Sequence, residues 1–98
     1  MRRLLLAALA LAAAPAAAQT PQRDGAAVYG AICAYCHGTN VGPVIRGRAL
    51  PAAYVAITVR QGRGAMPAFR PSEITPQELA DLARWIETSR ADAAEKGH

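Results

Sequence analysis

Cys33 and Cys36 are the only two cysteines of the 98-residue sequence, and a histidine follows directly, giving the run Cys33-Ala34-Tyr35-Cys36-His37. A Cys-x-x-Cys-His run is the pattern of covalent haem c attachment. The spacing has a chemical reason: two thiols three positions apart can add to the two vinyl groups of one haem, while the adjoining imidazole is held against the iron. Cys33 and Cys36 are expected to carry one haem c, and His37 to be its proximal iron ligand. Three other chemistries compete. A thioredoxin-like thiol pair wants a βαβ context, whereas the flanking sequence is helical and punctuated by glycine and proline. A zinc site needs about four ligands, and beyond these three residues the chain offers only His98. A structural disulfide across so short a loop would stabilise little, because the stabilisation grows with the loop closed.

Haem iron of this kind takes a second axial ligand, and the composition narrows the choice. There are two methionines, Met1 and Met66. A lone methionine is commonly core filler. Met66, however, sits in Gly64-Ala65-Met66-Pro67-Ala68-Phe69, a Gly/Pro-bracketed loop 29 residues beyond His37, with ample chain between them to wrap a macrocycle. A His37/Met66 axial pair is expected, with the soft, neutral thioether favouring ferrous iron and raising the potential. His98 is a weaker rival, being terminal.

The elements that must position these ligands begin after a leader. Met1-Arg2-Arg3 is basic, residues 4–14 form an apolar run of 11, and Ala16-Ala17-Ala18 supplies small residues. That is the pattern of a secretory signal peptide, with cleavage expected after Ala18. The run is too short for the ~20 residues of a membrane span. Residues 1–18 are thus read as leader, 19–89 as one domain and 90–98 as a polar, frayed tail. Without the leader 80 of the 98 residues remain, and the net charge falls from +4 to +2 as Arg2 and Arg3 leave. Scattered single charges of that size do not make a nucleic-acid surface. A domain this small needs a staple, and a covalent, largely apolar haem would supply one.

Residues 19–23 read as a flexible lead-in. Asp24 is an N-cap for a helix from about Gly25 toward Cys33, with Val28 and Ile32 on one face. The Gly/Pro-rich stretch 38–47 reads as a loop, in which the Pro43 carbonyl is a candidate acceptor for the second ring N–H of His37. Leu50-Pro51 opens and Gly62 closes a further helix, although its Val/Ile/Thr content suits a strand as well. Arg48, Arg60 and Arg63 flank it, and Arg48 or Arg60 could meet a haem propionate. Thr75-Pro76-Gln77-Glu78 is a capping-box start for a helix through Leu79, Leu82, Ala83 and Ile86 to about Ser89, with Trp85 at the edge of the stripe.

This order of features resembles the class I cytochromes c: a helix into Cys33-Ala34-Tyr35-Cys36-His37, a loop with Gly42-Pro43, a helix, the Met66 loop, and a last helix bearing Trp85. The resemblance implies an all-α fold of three to four helices around one covalent haem, with the first and last helices crossing so that Gly25 and Tyr29 face Trp85. A narrower likeness runs through Val41-Gly42-Pro43-Val44-Ile45-Arg46-Gly47-Arg48-Ala49-Leu50-Pro51, Tyr54, Val59-Arg60 and Ala65-Met66-Pro67-Ala68-Phe69. These are similar to the small cytochrome subunit of 4-alkylphenol-oxidising flavocytochromes. That likeness implies a larger FAD subunit as partner, which oxidises a phenol and passes electrons singly to this haem and on to a downstream acceptor.

The expected function is periplasmic electron transfer rather than catalysis by this chain alone, since six-coordinate iron leaves no site for substrate. Tyr35 and the 65–69 loop are expected to form a small apolar docking patch. Lys96 is the single lysine, so the chain lacks a lysine ring for steering a soluble shuttle. A free periplasmic carrier is the competing reading, and a haem sensor or enzyme with a labile Met66 a third.

Overall fold

The computed structural model describes residues 21–97. The leader at 1–18 and His98 lie outside the described residues. Within them the chain is helical, with two isolated backbone bridges in place of strands. No helix among the described residues is long and apolar enough to cross a membrane.

The first helical run is continuous but not uniform. Asp24 caps α1 (Gly25–Val28) by accepting from the Ala27 N–H at 2.8 Å. A π-helical turn (Tyr29–Cys33) follows, in which the Ala34 N–H reaches back five residues to the Tyr29 carbonyl, and it leads into α2 (Ala34–His37). The capped start is the expected one. The π turn and the continuation past Cys33 to His37 were not visible in the spacing of Val28 and Ile32.

Helix α3 (Ala52–Gln61) settles the helix-or-strand ambiguity in favour of helix. Pro51 precedes it and Gly62 ends it at φ 72°, a left-handed conformation that glycine adopts without steric cost. The Glu87 carboxylate of the last helix accepts from the Ala52 N–H at 3.0 Å, filling the role of the cap that Pro51 lacks. Helix α4 (Pro76–Thr88) starts in the anticipated capping box. The Thr75 hydroxyl accepts from the Glu78 N–H at 3.1 Å and Glu78 accepts from the Thr75 N–H at 3.0 Å.

Helix α4 packs against both α1 and α3. Val28, Ile74, Leu82 and Ile86 are almost completely shielded at the centre, each contributing about 1.5–3 kcal/mol by leaving water. At the α1–α4 crossing a Cβ on Gly25 would lie 2.6 Å from Trp85 Cβ, so the helices approach as closely as glycine allows. One turn on, the Tyr29 and Trp85 rings stack at 4.8 Å, as the family resemblance implied.

Two expectations of looseness fail. Residues 21–23 are not a free lead-in: Arg23 forms an ion pair with Glu78 at 2.8 Å and also donates to the Glu73 carbonyl, and the Thr75 hydroxyl bonds Gln22. The buried Glu78 carboxylate is thereby held down to about 2, chiefly by Arg23 and by the backbone N–H groups of Thr75 and Arg23. The segment after α4 is not frayed either. Asp92 pairs with Arg46 at 3.3 Å, Glu95 accepts from the Tyr29 hydroxyl at 2.5 Å, and the Lys96 carbonyl accepts from the Asn40 N–H at 2.6 Å. Polar composition suggested fraying, but the polar groups find partners on the 38–47 loop and on Tyr29.

Candidate haem site

On a helix, positions i, i+3 and i+4 share one face. Cys33, Cys36 and His37 have that spacing, and the helical run from Tyr29 to His37 turns all three toward the same recess. Both cysteines are free thiols. Burial pushes the Cys33 thiol up to about 11, the opposite of the depressed value that an attacking redox cysteine needs. Among the described residues no group of three His, Cys, Asp or Glu side chains converges on a metal-sized point.

The helix stops at Gly38 and the chain folds back, the Gly42 N–H donating to the Cys36 carbonyl at 2.7 Å. This places the Pro43 carbonyl 2.7 Å from His37 Nδ1. A carbonyl can only accept, so Nδ1 carries the proton and Nε2 keeps its lone pair for a metal. Gly42 lets the backbone pass this close, since a Cβ there would lie 3.2 Å from both His37 Nδ1 and Cε1.

Met66 comes from the other wall. The Arg63 and Met66 backbones exchange hydrogen bonds of 3.1 and 2.9 Å around a turn in which Gly64 has φ 57°. The Phe69 N–H then donates to the Val59 carbonyl at 2.8 Å, and Arg60 Nη1 donates to the carbonyls of Phe69 and Ile74 at 3.3 and 2.8 Å. The methionine loop is thus closed on itself before Met66 and tied to α3 beyond it.

Between these walls lies a cavity of about 610 Å³, with Cys33, His37, Pro43 and Met66 in its lining. A second recess of about 260 Å³ shares Cys33, His37 and Met66 and adds Cys36, Val41 and Phe69. The larger volume falls in the ~300–1,000 Å³ range of cofactor pockets. Much of its remaining wall is apolar, including Ile45, Leu50, Val59 and Ile86. Arg48 and Arg63 reach the cavity, the first donating to the Val44 carbonyl at 3.3 Å and the second to the Tyr54 hydroxyl at 2.8 Å. Arg60 does not line it, because its guanidinium is spent on the two loop carbonyls. Ile45, Leu50, Tyr54 and Thr58 line the cavity without having been singled out as site residues. The i, i+4 pairing of Tyr54 with Thr58 was their available signal.

Residues 20–86 match the family described as cytochrome c oxidase, cbb3-type, subunit III. The cytochrome c subunit of 4-cresol dehydrogenase [hydroxylating] from Pseudomonas putida is 38% identical over 89 residues, covering 89% of this chain and 79% of that one. The chain belongs to the cytochrome c family. As a cytochrome c it carries one covalent haem c. Among solved structures, p-cresol methylhydroxylase with substrate bound matches at TM-score 0.63 and 39% identity, over 69% of this chain and 95% of that one. The same enzyme in a structure at 2.5 Å resolution matches at TM-score 0.61 and 38% identity, over 67% and 93%.

The residues present fit that cofactor on the chain's own chemistry. The cavity and the recess that shares its Cys33, His37 and Met66 together bring two free thiols, an imidazole whose tautomer leaves one nitrogen to bind, and a thioether to largely apolar walls.

Proposed function

We propose that this cytochrome c is the electron-transfer subunit of a periplasmic flavocytochrome. It takes electrons one at a time from an FAD-containing, phenol-oxidising partner and passes them to a downstream acceptor. The observation that carries the reading is the shared cavity of Cys33, His37 and Met66, with His37 oriented by Pro43, in a chain 38% identical to a 4-cresol dehydrogenase cytochrome subunit.

In this reading Cys33 and Cys36 would hold the haem through thioether links, and His37 Nε2 and Met66 Sδ would bind its iron. Haem c supplies a ferric/ferrous couple that carries one electron at a time. The chain's part would be to supply the imidazole and the thioether to the iron and to exclude water from the cavity. The Pro43 carbonyl fixes the imidazole plane and raises its basicity. The two loop bonds between Arg63 and Met66 fix the backbone that would present the thioether. Arg48 and Arg63, at the cavity, suit the propionate carboxylates.

Exposed apolar residues at and around the smaller recess support a partner with an apolar docking face. Tyr35 is 74% and Val41 65% exposed, and Ala65, Pro67 and Ala68 are exposed beside Met66 with no charged side chain among them. A largely apolar patch, with the exposed Arg63 as the one charged group lining the recess, suits a lasting subunit interface better than a diffusive, electrostatically steered encounter. The basic start, the apolar run of residues 4–14 and the small residues that follow support export to the periplasm.

The test is co-expression with a flavoprotein subunit of the 4-cresol dehydrogenase type, followed by size exclusion and anaerobic addition of a 4-alkylphenol. Co-elution of flavin and haem absorbance, with the haem reduced on adding the phenol, is the expected result. A haem protein that elutes alone and is reduced equally well by unrelated dehydrogenases would make it a free carrier. Tight carbon monoxide binding by the native ferrous protein would point to an open sixth position and overturn the mechanism.

A further inference from the structure

The segment after α4 runs back along the loop that orients His37, and its bonding goes beyond securing a terminus. Its Lys96 carbonyl accepts from the Asn40 N–H at 2.6 Å, forming a parallel bridge between Thr39 and Lys96. The next residue, Gly97, presses on the loop backbone so closely that a Cβ there would lie 2.4 Å from Val44 N and 3.2 Å from the Pro43 carbonyl carbon. That carbonyl is the acceptor of the His37 Nδ1 proton. Further up the strap Glu95 takes the Tyr29 hydroxyl, Asp92 takes Arg46, and a Cβ on Gly47 would meet Ala91 N at 2.4 Å. Arg46 is in turn stacked 5.1 Å from the Trp85 ring.

From this geometry we infer that the 92–97 strap is a positioning element for the proximal ligand: Gly97 backs the Pro43 peptide and so holds the hydrogen bond that fixes the His37 imidazole. The inference rests on the reading of His37 as an iron ligand. The loop's other ties leave the Pro43 peptide without a backing of their own. Residues 38–47 form no helix, and apart from the strap the stretch is anchored by the Gly42 to Cys36, Thr39 to Tyr35, Arg48 to Val44 and Gly47 to Ser89 bonds, none of which involves Pro43 itself. Pro43 itself is exposed on its outer side, so the strap supplies the packing that the core does not. A methyl at position 97 must displace either the strap or the Pro43–Val44 peptide. Either movement loosens the same hydrogen bond.

The experiment uses ferrous holoprotein, in which low-spin iron is diamagnetic and the ring N–H proton of His37 can be followed by NMR as it exchanges with solvent. Two variants probe the strap: Gly97→Ala, and a chain ending after Glu95, which removes the Lys96 and Gly97 contacts but leaves the Glu95 and Asp92 bonds. Thr75→Ala is the control, since it removes the α4 cap far along the chain from Pro43 and lowers overall stability. Both strap variants are expected to speed His37 N–H exchange by about tenfold, the factor given by ~1.4 kcal/mol of easier local opening. Thr75→Ala is expected to lower Tm and leave that exchange within about twofold. Unchanged exchange in a folded Glu95-terminated protein, or equal acceleration by Thr75→Ala, overturns the positioning role. A wild-type protein that binds haem but yields no His37 ring N–H resonance overturns the ligand reading itself, and the strap's role with it.

Discussion

The close crossing of α1 and α4 at Gly25 makes a sharp prediction about one methyl group. Gly25 faces α4, where an added Cβ would lie 2.6 Å from Trp85 Cβ and 2.7 Å from the Asp81 carbonyl oxygen. Carbon atoms in contact settle at about 3.5–4.0 Å, so Gly25→Ala forces α1 and α4 apart by about 1 Å. The backbone carbonyl cannot rotate away as a side chain could. Overpacking of this kind costs ~1–3 kcal/mol, while the stiffer unfolded chain returns ~0.4–1 kcal/mol. The net expectation is a loss of roughly 1–2 kcal/mol, or a Tm lower by about 5–15 °C for a domain of this size. Gly30 provides the internal comparison: it is exposed, in the same helical run, and a Cβ there meets nothing within 4 Å. Gly30→Ala should therefore stabilise by about 0.5–1 kcal/mol. Urea unfolding of the haem-loaded proteins, followed by far-ultraviolet circular dichroism, gives both values from the midpoints at constant slope. If the two substitutions shift stability in the same direction, the close crossing is not what Gly25 is for.

Four further outcomes are expected. Glu78 has its carboxyl lowered from 4.5 to about 2 by Arg23, so its stabilisation is complete above the unfolded value and disappears as pH falls through the folded one. Acid titration of Glu78→Gln should show a flatter stability profile than wild type between those two pH values; parallel profiles would remove Glu78 from the acid response. Met66→Ala should abolish the near-infrared sulfur-to-iron band and lower the reduction potential, and an unaltered spectrum would reject Met66 as a ligand. His37→Ala should sharply reduce haem incorporation during periplasmic expression, measured as the ratio of Soret to protein absorbance. Arg60→Met should lower Tm by freeing the Phe69 and Ile74 carbonyls, at about 1–3 kcal/mol for an unsatisfied buried acceptor, while Arg63→Met should instead move the potential; the reverse pattern in thermal melts and redox titrations would exchange their roles.

What could be read from the sequence was whatever acts locally. The caps at Asp24 and Thr75, the glycine stop at Gly62 and the apolar stripe of α4 depend on neighbours within a few residues, and each appears where its pattern predicted. The five-residue attachment motif and the lone loop methionine depend on chemistry that few residue types can perform. What could not be read was pairing at long range. Arg23 with Glu78, Tyr29 with Glu95, and Arg46 with Asp92 join charged or polar residues that look solvated in isolation. Arg60 illustrates the converse: being near the cofactor in sequence did not decide where its guanidinium points, because two open carbonyls lay closer.

The π turn at residues 29–33 has a consequence for how this chain tolerates change in length. A wider turn absorbs one residue more than an α-helical turn would, and so lets the segments on either side keep separate angular settings. Upstream, the setting is dictated by the contact of Gly25 and Tyr29 with Trp85; downstream, by the thiols and imidazole facing the cavity. Removal of one residue at Gly30 could be taken up by converting the wide turn to an ordinary one, with both faces still in phase. The same deletion at Ala34 or Tyr35 would break the register of the Cys-x-x-Cys-His run, so neighbouring positions on one helix differ sharply in their tolerance of a single lost codon.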